Sequence, residues 1–102
     1  MTRADIFTAI TAERARQDEK HPVAFNTLLD SDYDISRISI ECEADELKLK
    51  NDKREKWGKS SAFSLTLEEL YEFFAETDKA RQVEEAIQNA ALWVRIIEEI
   101  TK

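Results

Sequence analysis

The chain has 102 residues, with one Gly, one Pro and one Cys, and 22 Asp plus Glu against 15 Lys plus Arg, a formal net charge of −7. The length fits a single domain spanning 1–102, since domains commonly run to about 100–150 residues. Positive-φ turns lean on Gly and loops on Pro, so this composition excludes an all-β sandwich or barrel.

Other classes fall with them. Gly58 is the only glycine, which rules out a phosphate-cradling glycine-rich loop or a dinucleotide fingerprint. The lone Cys42 rules out an intrachain disulfide framework and any multi-cysteine zinc site. The acidic balance argues against nucleic acid as a partner, because affinity there comes from basic side chains displacing counterions. No apolar run reaches the roughly 18 residues needed to span a bilayer. Met1-Thr2-Arg3-Ala4-Asp5 opens an amphipathic segment rather than a signal peptide, so a cytoplasmic setting is expected.

Periodicity predicts four helices. The first runs from about Thr2 to Lys20, with Ile6, Phe7, Ile10 and Ala15 on one side, and His21-Pro22 ends it. Phe25 to Asp30 reads as a connection. A second helix is expected to start near Ser31 or Asp32, either as N-cap, and continue towards Lys50 or beyond. Its apolar stripe is Ile35, Ile38, Cys42 and Leu49, with Ile40 and Leu47 off that line. Asn51 to Ser61 reads as a loop carrying Gly58.

The third helix begins at Ser61 or at Thr66, where Thr66 and Glu69 fit a capping box, and it ends near Glu76. Thr77 or Asp78 caps the fourth, which runs to about Thr101. Val83, Ile87, Ala90, Val94 and Ile97 form one stripe along it at about 100° per residue. Leu92, Trp93, Ile96 and Ile100 widen the apolar sector past half the circumference, so this helix is expected to be buried on more than one side. The fold class expected is all-α, a four-helix bundle completed by oligomerisation.

Carboxylates stand among the apolar residues of the last two helices. Glu68 and Glu72 are four apart and stack on one face, with Glu69 about 100° round from Glu68. Glu85 projects between Leu92 and Ile96, inside the apolar sector, and Asn89 lies one turn on. Like charges at such spacing destabilise a helix unless a cation sits between them, and a buried carboxylate needs a partner. Magnesium answers both demands: it is a hard cation held by a few carboxylates together with substrate phosphates, and helical bundles build metal sites from inward-pointing acids. The plainer alternative is a solvated acidic face.

Glu68-Glu69-Leu70-Tyr71-Glu72, followed by Glu85-Ala86-Ile87-Gln88, resembles the Glu-Glu-x-x-Glu and Glu-x-x-Asp signature of the MazG-like, all-α nucleoside triphosphate pyrophosphohydrolases. The segment Glu13 to Lys20 before a His-Pro loop, and the Ala-rich stretch Glu85 to Val94, resemble small, phage-type members. The resemblance implies a MazG-like helical bundle, a homodimer or homotetramer, that hydrolyses a nucleotide substrate to monophosphate and pyrophosphate. It implies Glu68, Glu69, Glu72, Glu85 and Gln88 as ligands of Mg2+, or of Mn2+ in its place, with Glu69 and Glu72 also catalytic. Gln88 departs from the family's acidic residue: an amide ligates through its carbonyl oxygen but brings no charge.

Lys48, Lys50, Lys53, Arg54, Lys56 and Lys59 gather in one stretch, and Lys53, Arg54 and Lys56 are candidates to clamp a triphosphate. A solvated loop balancing the acidic helices is the alternative. Trp57 is read as a loop anchor or a base-stacking residue, His21 as a structural or exposed loop residue, and Cys42 as a small buried apolar residue. Glu41, Glu43, Asp45 and Glu46 diverge around their helix and are read as solvated. Two rival functions stand beside the hydrolase. One is a non-catalytic, protein-binding accessory on the same bundle, and the other is an acidic protein that imitates nucleic-acid charge.

Overall fold

The computed structural model of the chain describes residues 1–23, 25, 27–30 and 32–102. These form four helices and no strand: α1 (Arg3–Lys20), α2 (Arg37–Lys56), α3 (Ala62–Ala75) and α4 (Lys79–Ile100). Among them no helix is long and apolar enough to cross a membrane.

The caps explain the boundaries. Thr2 and Asp5 form a reciprocal capping box, in which each backbone N–H donates to the other's side chain at 3.1 Å. Hydrogen bonding to the carboxyl from the Thr2 hydroxyl, and then from the Thr2 N–H, holds the exposed Asp5 carboxyl below its ordinary range. His21, ahead of Pro22, leaves helical geometry at φ −129° and stops α1. Asp78 caps α4, accepting from the Arg81 N–H at 3.0 Å.

Two boundaries of α2 differ from those expected. Its N-cap is Ser36, whose hydroxyl oxygen accepts from the Ser39 N–H at 3.2 Å. Asp32 lies outside the helix, and Ser31 falls outside the described residues. At the other end the helix continues through Asn51 to Lys56 instead of giving way to a loop. Gly58 at φ 66° is the stop signal: its N–H donates to the Glu55 carbonyl at 3.0 Å, and the Lys59 N–H to the Arg54 carbonyl at 2.8 Å. That pairing closes a helix through a left-handed residue just beyond the cap, a conformation that suits glycine. The basic residues near it sit in the last turn of α2, where they complement the helix dipole. α3 starts at the earlier of its two candidate positions, capped by Ser61, and Thr66 lies within it.

α3 is the middle layer, packed against α2 on one side and α4 on the other, while α1 meets only α4. The α2 face turned inward carries Ile40 and Leu47, which the expected stripe leaves out, together with Ala44 and Asn51. The expected stripe faces water: Ile38 is 74% and Leu49 65% exposed, and Ile35 and Cys42 are exposed with them. Both sets recur at helical spacing, and only the position of α3 chooses between them. Cys42 is therefore not the small core residue expected, and Trp57, also exposed, anchors nothing. His21 is exposed.

Among the described residues the buried apolar ones are few: Ile6, Ile40, Ala44 and Val94. Ile6 belongs to the meeting of α1 with the C-terminal half of α4, which Arg3 fastens to Glu98 at 3.2 Å.

Candidate metal centre

α3 presents its acids towards both neighbours. From Glu68, Glu72 lies about 40° round the helix and Glu69 about 100°, so Glu72 projects between the other two. The result is a cluster: Glu68, Glu69 and Glu72 each place a carboxylate oxygen within 4.8 Å of the others. All three side chains are half-buried. Glu85 faces them from α4, also half-buried.

Two asparagines fix the scaffold. Asn51 on α2 is 6% exposed; its Nδ2 donates to the Ser64 carbonyl at 3.0 Å and to Glu68 Oε1 at 2.9 Å. Asn89 on α4 donates from Nδ2 to the carbonyls of Glu69 at 2.9 Å and Glu85 at 2.8 Å, tying α4 to α3 beside both acids. These amides position the carboxylates without neutralising them. Glu69 Oε2 and Glu85 Oε2 are buried and have no hydrogen-bond partner among the described residues.

The electrostatics follow from that crowding. Burial, then the charges of Glu85 and Glu68, hold the Glu69 carboxyl above its ordinary range. Glu72 is pushed up to about 7, by burial first and then by Glu69, Glu68 and Glu85. Buried polar groups are normally partnered, and carboxylates sharing a site resist joint ionisation. A group of half-buried acids with orphaned oxygens can hold a divalent cation, which supplies the missing partner and the missing positive charge.

The other candidates are not all gathered here. Gln88 is exposed; with Leu65, Glu69 and Arg95 it lines a shallow groove between α3 and α4. Lys53, Arg54 and Lys56 are exposed and make no ion pair among the described residues. Helical geometry sets Arg54 about 60° from Asn51, but sends Lys53 and Lys56 about 160° and 140° away, to the far side of α2. Those two lysines are not brought over the carboxylates.

Reading Asn51 to Ser61 as a loop passes over Asn51. Gly58 held the signal: as a residue just past a helix end, it places Asn51 two turns inside α2. Asn51→Ala is expected to lower stability by about 1–3 kcal/mol, since the Ser64 carbonyl and Glu68 lose a buried donor. Urea unfolding of the metal-free protein measures this, and an unchanged midpoint would contradict the positioning role.

No family model matches the chain, and no curated protein or solved structure shows significant similarity to it.

Proposed function

We propose that the chain is a Mg2+-dependent nucleotide pyrophosphohydrolase of the MazG-like type, converting a (deoxy)nucleoside triphosphate to monophosphate and pyrophosphate. It works as a homodimer or homotetramer in a cytoplasmic setting, and Mn2+ can replace Mg2+. The observation that supports this is the Glu68–Glu69–Glu72 cluster, facing Glu85, with two buried oxygens left unpartnered.

The donor set fits the cation. It offers only hard oxygen atoms, from residues that repel one another in its absence. Glu68, Glu69, Glu72 and Glu85 would hold it. When bound, it neutralises charge on the phosphoryl oxygens and makes water more acidic. The chain's own groups do the rest. Asn51 and Asn89 keep the acids oriented before substrate arrives. Glu69 and Glu72 hold the attacking water and take its proton. The exposed Arg54, on the α3 side of α2, meets the triphosphate.

Gln88 lines a groove with Glu69 and can ligate through its amide oxygen. It also withholds a charge on the Glu85 side, which favours the second reading, a non-catalytic protein-binding accessory. A panel of ribo- and deoxynucleoside triphosphates, assayed with Mg2+ and with Mn2+, separates the two. At least one is expected to release pyrophosphate in a metal-dependent manner. Turnover of none of them would leave only the accessory.

A further inference from the structure

We infer that one end of the bundle, where α2 finishes, is a docking surface for an anionic lipid bilayer. Four helix ends meet there. The last turn of α2 leads through the short connection at 57–61 into the first turn of α3. The α4 C-terminus reaches the same end, where Ser61 and Ala62 line a small cleft with Ile96 and Ile100. α1 begins there too, and Arg3 pairs with Glu98 at 3.2 Å. Three large apolar side chains stand out from this end, one each from the α2 cap, α3 and α4: Trp57 is 68%, Phe63 74% and Ile100 77% exposed.

Cations accompany them. Between 52 and 63, Lys53, Arg54, Lys56 and Lys59 stand against Asp52 and Glu55, a local surplus of positive charge in a chain of net −7. All four cations are exposed and make no ion pair among the described residues. The acids at the α4 end are neutralised instead, Glu98 by Arg3 and Glu99 by Lys102. Arg54 is taken up by the proposed reaction, but Lys53 and Lys56 point away from the carboxylates and Lys59 lies past the end of α2. That reaction leaves the three lysines, and Trp57 among them, unused.

An anionic leaflet answers both features at once. It attracts lysines close to its surface, their stems lie along apolar groups with the charge at headgroup level, and Trp settles at the interface. Stable peripheral binding takes two such signals, charge and apolar insertion. The acids elsewhere do not cancel the attraction, because salt screens it over about 8 Å. Glu76 and Asp78 stand at the far end of the 14-residue α3, roughly 20 Å away, and Glu68 is already about 9 Å along it from Ala62. Single-stranded nucleic acid is the other polyanion that lysines and aromatic rings meet, but it is held by bases stacked on rings, and the aliphatic Ile100 offers no such face.

Co-sedimentation of the full chain with vesicles is the test, run at low salt and in chelator so that it depends on neither the metal centre nor turnover. Binding is expected to vesicles of phosphatidylserine and phosphatidylcholine in equal parts, and not to phosphatidylcholine alone. Changing Lys53, Lys56 and Lys59 together to Gln is expected to weaken that binding by on the order of 100-fold. Trp57→Ala with Phe63→Ala should weaken it by on the order of 10-fold, with helical circular dichroism retained because both side chains are exposed. The charge-matched control, Lys20, Lys79 and Arg81 to Gln at the opposite end of the bundle, should leave binding unchanged. No sedimentation with the anionic vesicles would overturn the lipid surface, as would an equal loss in the control. Tighter binding to a single-stranded oligonucleotide than to the vesicles would also overturn it, and would assign this end to nucleic acid.

Discussion

Glu72→Gln is expected to raise the melting temperature of the metal-free protein and, in the same molecule, to remove its pyrophosphohydrolase activity. The stabilisation comes from relieving repulsion. Glu72 stands between Glu68 and Glu69 and faces Glu85, and its carboxyl is pushed from the ordinary 4.5 up to about 7. The side chain is only half-buried, and solvent screening brings the gain to on the order of 1 kcal/mol. For a domain of this size that is a rise of about 4–8 °C. Activity moves the other way. A metal supplies several kcal/mol of transition-state charge stabilisation. With 1.36 kcal/mol per factor of ten, loss of one holding carboxylate costs at least about 100-fold. A residue whose loss stabilises the fold and disables it is one kept for function. If Glu72→Gln lowered the melting temperature in chelator, or left turnover intact, the carboxylate would be an ordinary surface group.

The stability of the native chain without metal is expected to fall as pH rises, with most of the change between about 4.5 and about 7. The sign follows from linkage. Glu69 and Glu72 both hold their protons more tightly in the folded state than the ordinary 4.5. Across that window the folded chain binds more protons than the unfolded one, so stability decreases with pH. The contribution is full below the unfolded value and is lost as pH passes the folded one, near 7 for Glu72. The expected loss is on the order of 1 kcal/mol after screening. Magnesium reverses it: a ligand at 100 times its dissociation constant adds about 2.7 kcal/mol, and it binds best where the acids are ionised. Melting curves in chelator and in magnesium should therefore lie close together near pH 4.5 and separate towards neutral pH. Parallel curves across the range would remove the case for a site built from these acids, and Glu72→Gln should flatten the chelator curve.

The local code accounts for much of the fold. Thr2, Asp78 and the His21-Pro22 pair end their helices where side-chain chemistry alone says they must, because a cap is satisfied within a few residues of itself. Helix type was equally legible, since a chain almost without Gly and Pro leaves the backbone few ways to turn. The C-terminal boundary of α2 is legible in Gly58, which marks a helix end rather than the interior of a loop and so puts Asn51 inside the helix. The choice of the α2 inner face was not legible. Ile35–Ile38–Cys42–Leu49 and Ile40–Ala44–Leu47 both repeat at helical spacing, so spacing alone does not choose the buried face.

The sequence by itself determined that this chain is helical, acidic, and carries glutamates at apolar positions of its last two helices. Spacing within one helix placed Glu68, Glu69 and Glu72 on adjoining faces, because helical geometry is fixed by the backbone. Only the tertiary structure decided which face of α2 meets α3, that Asn51 and Asn89 hold the acids, and that Lys53 and Lys56 point away. Those outcomes depend on how separate helices dock, and docking is set by the summed burial of many side chains from distant parts of the chain. No local pattern contains that sum.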